Sequence, residues 1–230
     1  MKEHPILFST EMLQAILRGE KTQTRRVVKV LPKSGFARDF YRGNYWTIMP
    51  AQKGGYVAID IPENTLRPED KIRFTDCEGF PCPYGKIGDQ LWVRESFLPN
   101  YFDDNKPAYK ADWTGTAEEI INSPKWKPSI HMPRNLSRIQ LEILNIKVER
   151  VQDITEEDAM KEGMQIPVTE IEGKIKPIVQ VSGKYLPLHY GDPYKYKSHY
   201  AALWDGLNFK RGYGWSVNPF VWCIEFKRIK

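Results

Sequence analysis

Apolar and polar positions along this chain fall into short runs whose period switches between two and about 3.6. Pro5-Ile6-Leu7-Phe8 is a brief apolar run that predicts a strand. Ser9 and Thr10, both good N-cap residues, precede Met12, Leu13, Ile16 and Leu17 at helical spacing, and Gly19 supplies the stop. Residues 21–28, KTQTRRVV, are Thr-rich and end β-branched, which predicts a second strand. A Gly-Asp turn at Gly88-Asp89 feeds another through Glu95. Residues 137–151 carry the cleanest alternation: Ile139, Leu141 and Ile143, with Asn145 next in that series, face one way. Gln140, Glu142 and Leu144 face the other. Thr155 then caps a short helix with acids in its first turn, ending at Gly163. Residues 194–207 predict a helix with Tyr200, Leu203 and Trp204 on one face, and 219–226 a closing strand.

Between these elements the pattern breaks down. Residues 29–86, 98–135 and 165–190 carry scattered Gly and Pro and read as insertions, with short strands in the first, a helix near 117–122 in the second and a loop or hairpin in the third. No internal repeat or linker appears. Strands near both ends predict one domain over 1–230, built on a single closed sheet with loops inserted between its elements.

Composition narrows the class. The 230 residues are 41% hydrophobic and 27% charged, enough for a core and too mixed for a fibrous chain. The net charge of +5 excludes a histone-like polyelectrolyte. Its distribution is informative: between Ala15 and Arg42 eight bases face two acids, a surplus of six, so the rest of the chain sums to −1. Seven Trp, twelve Tyr and ten Phe would suit either a large core or a nucleobase binder. No apolar run reaches the ~18–20 residues of a membrane span, and the acidic N-terminus lacks signal-peptide features. Three cysteines form no disulfide framework, so a soluble protein of a reducing cytoplasm is expected. Cys77-x4-Cys82 has the shape of half a zinc site, but His131, His189 and His199 lack paired spacing, and buried thiols are the preferred reading. Nothing indicates a metal or nucleotide cofactor.

Chemistry concentrates in Gly19-Glu20-Lys21-Thr22-Gln23-Thr24-Arg25-Arg26. In an extended strand Thr22, Thr24 and Arg26 share one face and Lys21, Gln23 and Arg25 the other, unless the turn after Gly19 rotates Lys21 across. A Lys beside a Thr can serve as base and nucleophile, provided desolvation keeps the amine partly neutral. The plainer alternative is a basic strand whose cations are solvated or hold phosphate.

ILRGEKTQTRR resembles the signature of the ASCH domains, relatives of the PUA domains of RNA-modifying proteins. Lys21, Thr22, Thr24 and Arg26 match its K-T-x-T-x-R. Gly88-Asp89-x-Leu91-Trp92-Val93-Arg94-Glu95 is similar to the family's Gly-Asp strand, and Ile154-Thr155-Glu156-Glu157-x-Ala159-x-x-Glu162-Gly163 to its acidic short helix. CPYGKIGDQLWVRESF and RGYGWSVNPFVWCIEFKRI resemble the larger members common in phages and prophages. The resemblance implies an α+β fold: a PUA-like β-barrel with flanking short helices and long insertions, and a cleft for RNA or a modified nucleoside. Small bacterial members are amidohydrolases that deacetylate N4-acetylcytidine with a Lys, a Thr and a Glu. These carry over to Lys21 as base, Thr24 as nucleophile or water-positioning group, and Glu162 as proton relay, with Glu157 a competing choice. The compact enzymes are roughly half this length.

Other candidates follow. Arg25 and Arg26 are expected to contact phosphate. Glu95 is a second carboxylate of interest, with an ion pair to Arg94 or another cation as its alternative. Trp46, Trp92, Tyr213 and Trp215 are stacking candidates, with Tyr213 and Trp215 preferred because GYGWSVNP reads as a loop; core packing is the alternative for each. The rival classes are a binding module without turnover, a ribonuclease, and a phage interaction or structural protein.

Overall fold

The computed structural model describes residues 1–29, 81–101, 106–113, 124–166, 192 and 194–230, with the backbone alone of 46–50, 56–60, 168–171, 174–177, 179–181 and 184–186. The chain opens with β1 (Glu3–Leu7), α1 (Thr10–Leu17) and β2 (Gln23–Val27). A hairpin of β3 (Trp46–Pro50) and β4 (Tyr56–Asp60) lies in the first insertion. Then come β5 (Gln90–Arg94), the short pair β6 (Phe97–Leu98) and β7 (Ala108–Tyr109), and β8 (Gln140–Arg150). The short helix α2 (Glu156–Lys161) precedes two small antiparallel pairs. These are β9 (Val168–Ile171) with β10 (Lys174–Pro177), and β11 (Val179–Val181) with β12 (Lys184–Leu186). α3 (Tyr196–Asn208) and β13 (Phe220–Arg228) complete the chain. The predicted helix near 117–122 lies outside the described residues.

The five long-range strands form one mixed sheet in the order β1-β5-β8-β13-β2. Only β1 and β5 run parallel, with Ile6 opposite Val93; every other pair is antiparallel. The expected closed sheet is therefore corrected in part: among the described residues no ladder joins β1 to β2. The two ends still meet through side chains. Arg26 Nη2 donates to the carbonyl of Leu7, and the guanidinium lies 5.2 Å from the ring centre of Phe8.

Each face of the sheet carries its own apolar cluster. α1 packs Leu13 and Ile16 against Phe8, Leu91, Leu141, Trp222 and Ile224 on one face. α2 and α3 pack Ala159, Tyr200 and Trp204 against Val151, Val221 and Trp215 on the other. β13 is buried from both sides, as its unbroken run Phe220-Val221-Trp222-Cys223-Ile224 requires. Each such side chain contributes about 1.5–3 kcal/mol of burial.

A bulge in β8 sets which side chains face which cluster. Glu225 lies opposite Asn145 but Phe226 opposite Ile143, so Leu144 is an extra residue. Ile139, Leu141 and Ile143 are buried as expected, but the apolar face then continues through Ile146 and Val148 rather than Asn145. Asn145, Lys147 and Glu149 are thereby turned to the α2–α3 face.

Candidate functional site

The turn after α1 places Lys21 outside strand β2. Ser9 caps the helix, its Oγ accepting from the Met12 amide at 3.4 Å. Gly19 closes it with φ +78°, a left-handed conformation that glycine adopts without strain. The amides of Glu20 and Lys21 then both donate to Ala15 O, and that of Thr22 to Lys161 O. Lys21 thus forms an isolated bridge with Glu162, at the C-cap of α2, and the strand starts two residues later than predicted. Gly163 makes this approach feasible. Its φ is +81°, and a Cβ there would fall 2.9 Å from Ala15 Cβ and 3.1 Å from Lys21 Cβ.

The result is a buried ionic cluster. Lys21 Nζ donates to Glu162 Oε2 at 2.6 Å and to Glu162 O at 2.8 Å, with both side chains essentially sealed from solvent. Arg25 Nη1 donates to the other carboxylate oxygen, Oε1, at 3.2 Å, so Glu162 is gripped from two sides. Glu157, the competing carboxylate, is exposed on α2 and makes no ion pair with a described residue.

Arg25 differs from its expected role. Its Nε donates to Glu149 at 2.7 Å, Nη1 to Gln23 Oε1 at 2.6 Å, and Nη2 to Asp158 at 3.1 Å. Every guanidinium nitrogen is engaged inside the protein, leaving no free fork for phosphate. Lys147 adds a further cation, 3.0 Å from Glu149 and 3.8 Å from Asp158. Gln23, Lys147, Glu149 and Asp158 escaped sequence reasoning. Thr155 as N-cap already fixed the face of Asp158, but the β8 bulge inverts the parity that would have located Glu149.

The electrostatics follow from burial and these partners. Burial pushes the Lys21 amine below its ordinary value, with Glu162 opposing and Arg25 and Arg26 assisting. Burial would raise the Asp158 carboxyl, but Arg25 and Lys147 outweigh it and hold the group low. Cys223, beneath Arg25, is pushed up to about 12, mainly by burial, and is a protonated thiol at neutral pH.

Beside this cluster lies a cavity of about 350 Å³. Thr24, Arg25, Arg26 and Glu162 line it from the β2 edge, and Phe8, Tyr84, Tyr200, Trp204 and Tyr213 supply aromatic wall. Lys21 sits behind Glu162 and does not line it, although its Nζ is 5.8 Å from the Phe8 ring centre. Of the three residues chosen from the sequence, Lys21 and Glu162 are hydrogen-bonded to each other, and Thr24 shares the cavity wall with Glu162 but bonds neither of them. No family model matches the chain, and no curated protein or solved structure matches it either.

The remaining candidates are distributed elsewhere. Tyr213 reaches the cavity, and its carbonyl accepts from Trp204 Nε1 at 2.7 Å. Trp215 does not: it is buried in the α2–α3 cluster, edge-on to Tyr200, so its stacking role is corrected to core packing. Glu95 is buried remote from the cavity. Its carboxylate accepts two bonds from Arg138, at 2.9 and 3.1 Å, which makes it a structural ion pair. Trp92 is half-buried between the guanidinium groups of Arg94 and Arg134, 5.5 and 5.9 Å from its ring, and does not line the cavity. The side chain of Trp46 and all of Cys77 lie outside the described residues, and Cys82 is a half-buried thiol that desolvation pushes up to about 11. Among the described residues no group of three or more His, Cys, Asp or Glu is placed to hold a metal, and no helix is long and apolar enough to cross a membrane.

Proposed function

We propose that this chain is a cytoplasmic ASCH-type protein with a PUA-like barrel, which binds RNA or a modified nucleoside and removes the acyl group from an N4-acylated cytidine. One observation carries the reading: a sealed Lys21–Glu162 pair stands directly behind a cavity wall to which Thr24 and Glu162 contribute. The volume suits a nucleoside-sized ligand, and the aromatic wall suits a base.

In the proposed reaction Thr24 Oγ attacks the amide carbonyl carbon while neutral Lys21 accepts the hydroxyl proton. Glu162 orients the amine and relays that proton to the departing N4 amine, the C–N bond breaks, and cytidine leaves behind an acyl-Thr24 ester. Water then attacks the ester carbonyl, Lys21 takes its proton and returns it to Thr24 Oγ as the C–O bond breaks, and the acid leaves with free Thr24 and neutral Lys21 restored. The lowered basicity of buried Lys21 supports this role, since only the neutral amine accepts a proton.

A second reading draws on the same geometry. Lys21 Nζ already donates to two oxygens of Glu162 and is screened from the cavity, as a structural pair in a non-catalytic binding module would be. Incubation with N4-acetylcytidine separates the two. Cytidine release by the wild type, abolished in Lys21→Ala and Thr24→Val, is expected of the enzyme. No release, or equal release by the variants, establishes the binding module.

A further inference from the structure

We infer that the cavity holds a phosphate of its ligand between Arg26, Lys29 and Arg211, so that the substrate class is a phosphorylated nucleoside or nucleotide chain rather than a free nucleoside. This rests on the base-binding reading of the same cavity.

The argument begins from charge. Among the described residues, four cations line the cavity, Arg25, Arg26, Lys29 and Arg211, against a single carboxylate, Glu162. Arg25 and Glu162 are already committed to each other and to Lys21, Asp158 and Glu149. The three remaining cations have no carboxylate partner among the described residues. Of the arginines elsewhere, Arg18 grips Glu20, Arg134 grips Glu3, and Arg138 grips Glu95 and Asp112, whereas Arg94 and Arg228 bond backbone carbonyls and line no part of this cavity. A basic group left unpaired beside a concave site is the usual counterpart of an anionic ligand.

Position makes the case specific. The three cations come from two parts of the chain: Arg26 on β2 with Lys29 two residues beyond its end, and Arg211 in the turn after α3. Arg26 is the inner member. Its Nη2 is tied to Leu7 O and its plane lies against Phe8, yet its Nε–H is buried with no hydrogen-bond partner. A buried donor left unmade is costly, and an acceptor oxygen in the cavity would satisfy it. Lys29 and Arg211 are exposed and mark the solvent side of the site. A base against the aromatic wall and a phosphate toward the three cations use both halves of the lining.

Calorimetric titration of the whole chain tests this without turnover. The ligands are cytidine, cytidine 5′-monophosphate and a cytidine trinucleotide lacking a terminal phosphate. The phosphorylated ligands are expected to bind roughly tenfold more tightly than cytidine, the size of one or two charge-assisted contacts. That ratio should fall several-fold in Lys29→Gln or Arg211→Gln, and close to one in the double variant. Preference for the monophosphate assigns a phosphomonoester, and preference for the trinucleotide a chain phosphodiester. Equal affinity for all three ligands, absence of binding, or an unchanged ratio in a double variant with wild-type melting temperature would overturn the proposal. Deacylation is read separately. Hydrolysis of N4-acetylcytidine and its 5′-monophosphate with equal kcat/KM removes the phosphate site and leaves the reaction. Phosphate-dependent binding without hydrolysis does the reverse.

Discussion

Two buried carboxylates beside this sheet, Glu162 at the end of α2 and Glu95 just after β5, are each paired with arginine, and they differ in almost everything else. Glu162 is clamped by Lys21 and Arg25, two cations for one carboxylate at its own position, and it lines a cavity. Glu95 shares the single fork of Arg138 with Asp112 and does not line that cavity. Burial and Asp112 push the Glu95 carboxyl up against the pull of Arg138. At the other site burial lowers the basicity of the lysine. Burial and ion pairing are thus common to both and identify neither as functional. The lowered basicity of Lys21 and the cavity lined by its partner Glu162 separate them, and the proposed reaction rests on that combination.

The comparison can be broken most severely by Lys21→Ala. Loss of a general base is expected to reduce turnover of an N4-acylated cytidine by about 10²–10⁴, whereas Glu95→Gln should leave it near the wild-type rate. Comparable losses in both variants would erase the distinction. Next in size is stability. Glu162→Ala leaves Lys21 buried without its carboxylate, for which a cost of about 3–5 kcal/mol is expected in urea denaturation. Glu95→Ala leaves Arg138 still paired with Asp112 and partly solvated, so about 1–3 kcal/mol is expected.

The pH dependence of stability should carry opposite signs at the two places. The Glu95 carboxyl titrates above its ordinary value of 4.5 in the folded state, so the native protein binds more protons there and loses stability as pH rises through that window. Relative to Glu95→Gln, the wild type should weaken on going upward from about pH 4.5. Asp158 titrates below its ordinary value of 3.8, so its contribution is present above that value and lost as pH falls through the folded-state pKa. Denaturation midpoints of Glu95→Gln and Asp158→Asn across pH 2–7 give both slopes, and slopes of one sign would contradict the assignment. The smallest effect belongs to Glu157→Gln. An exposed acid in the first turn of α2 should matter by less than about 0.5 kcal/mol and not alter turnover.

Much of the secondary structure was legible, because caps and periodicity act within a few residues. Ser9, Thr155, Gly19 and Gly163 mark helix limits where the structure has them. The run 220–224 reads as strand and is buried as one. Lys21, Thr24 and Glu162 were selected by family resemblance; the structure pairs Lys21 with Glu162 and sets Thr24 beside Glu162 in the cavity wall. Strand parity was a weaker guide. Counting by twos from Ile139 places Glu149 with the apolar series, whereas the extra residue at Leu144 turns it toward Arg25. Arg25 and Arg26 are neighbours of the same type, yet the first is saturated by acids and the second retains an unpaired Nε–H. Trp215 likewise sits in a loop-like sequence and packs as core.

The sequence by itself determined the local elements and the local surplus of basic charge between Ala15 and Arg42. These depend on side-chain type and near-neighbour sterics, which one chain displays in full. Only the tertiary structure decided how those charges are used. Partners that neutralise Arg25 lie more than a hundred residues away, on β8 and α2, and the cavity exists because Phe8, Thr24, Glu162 and Tyr200 converge at one sheet edge. Pairing and concavity are properties of distance in space, and a single bulge or turn is enough to reassign them.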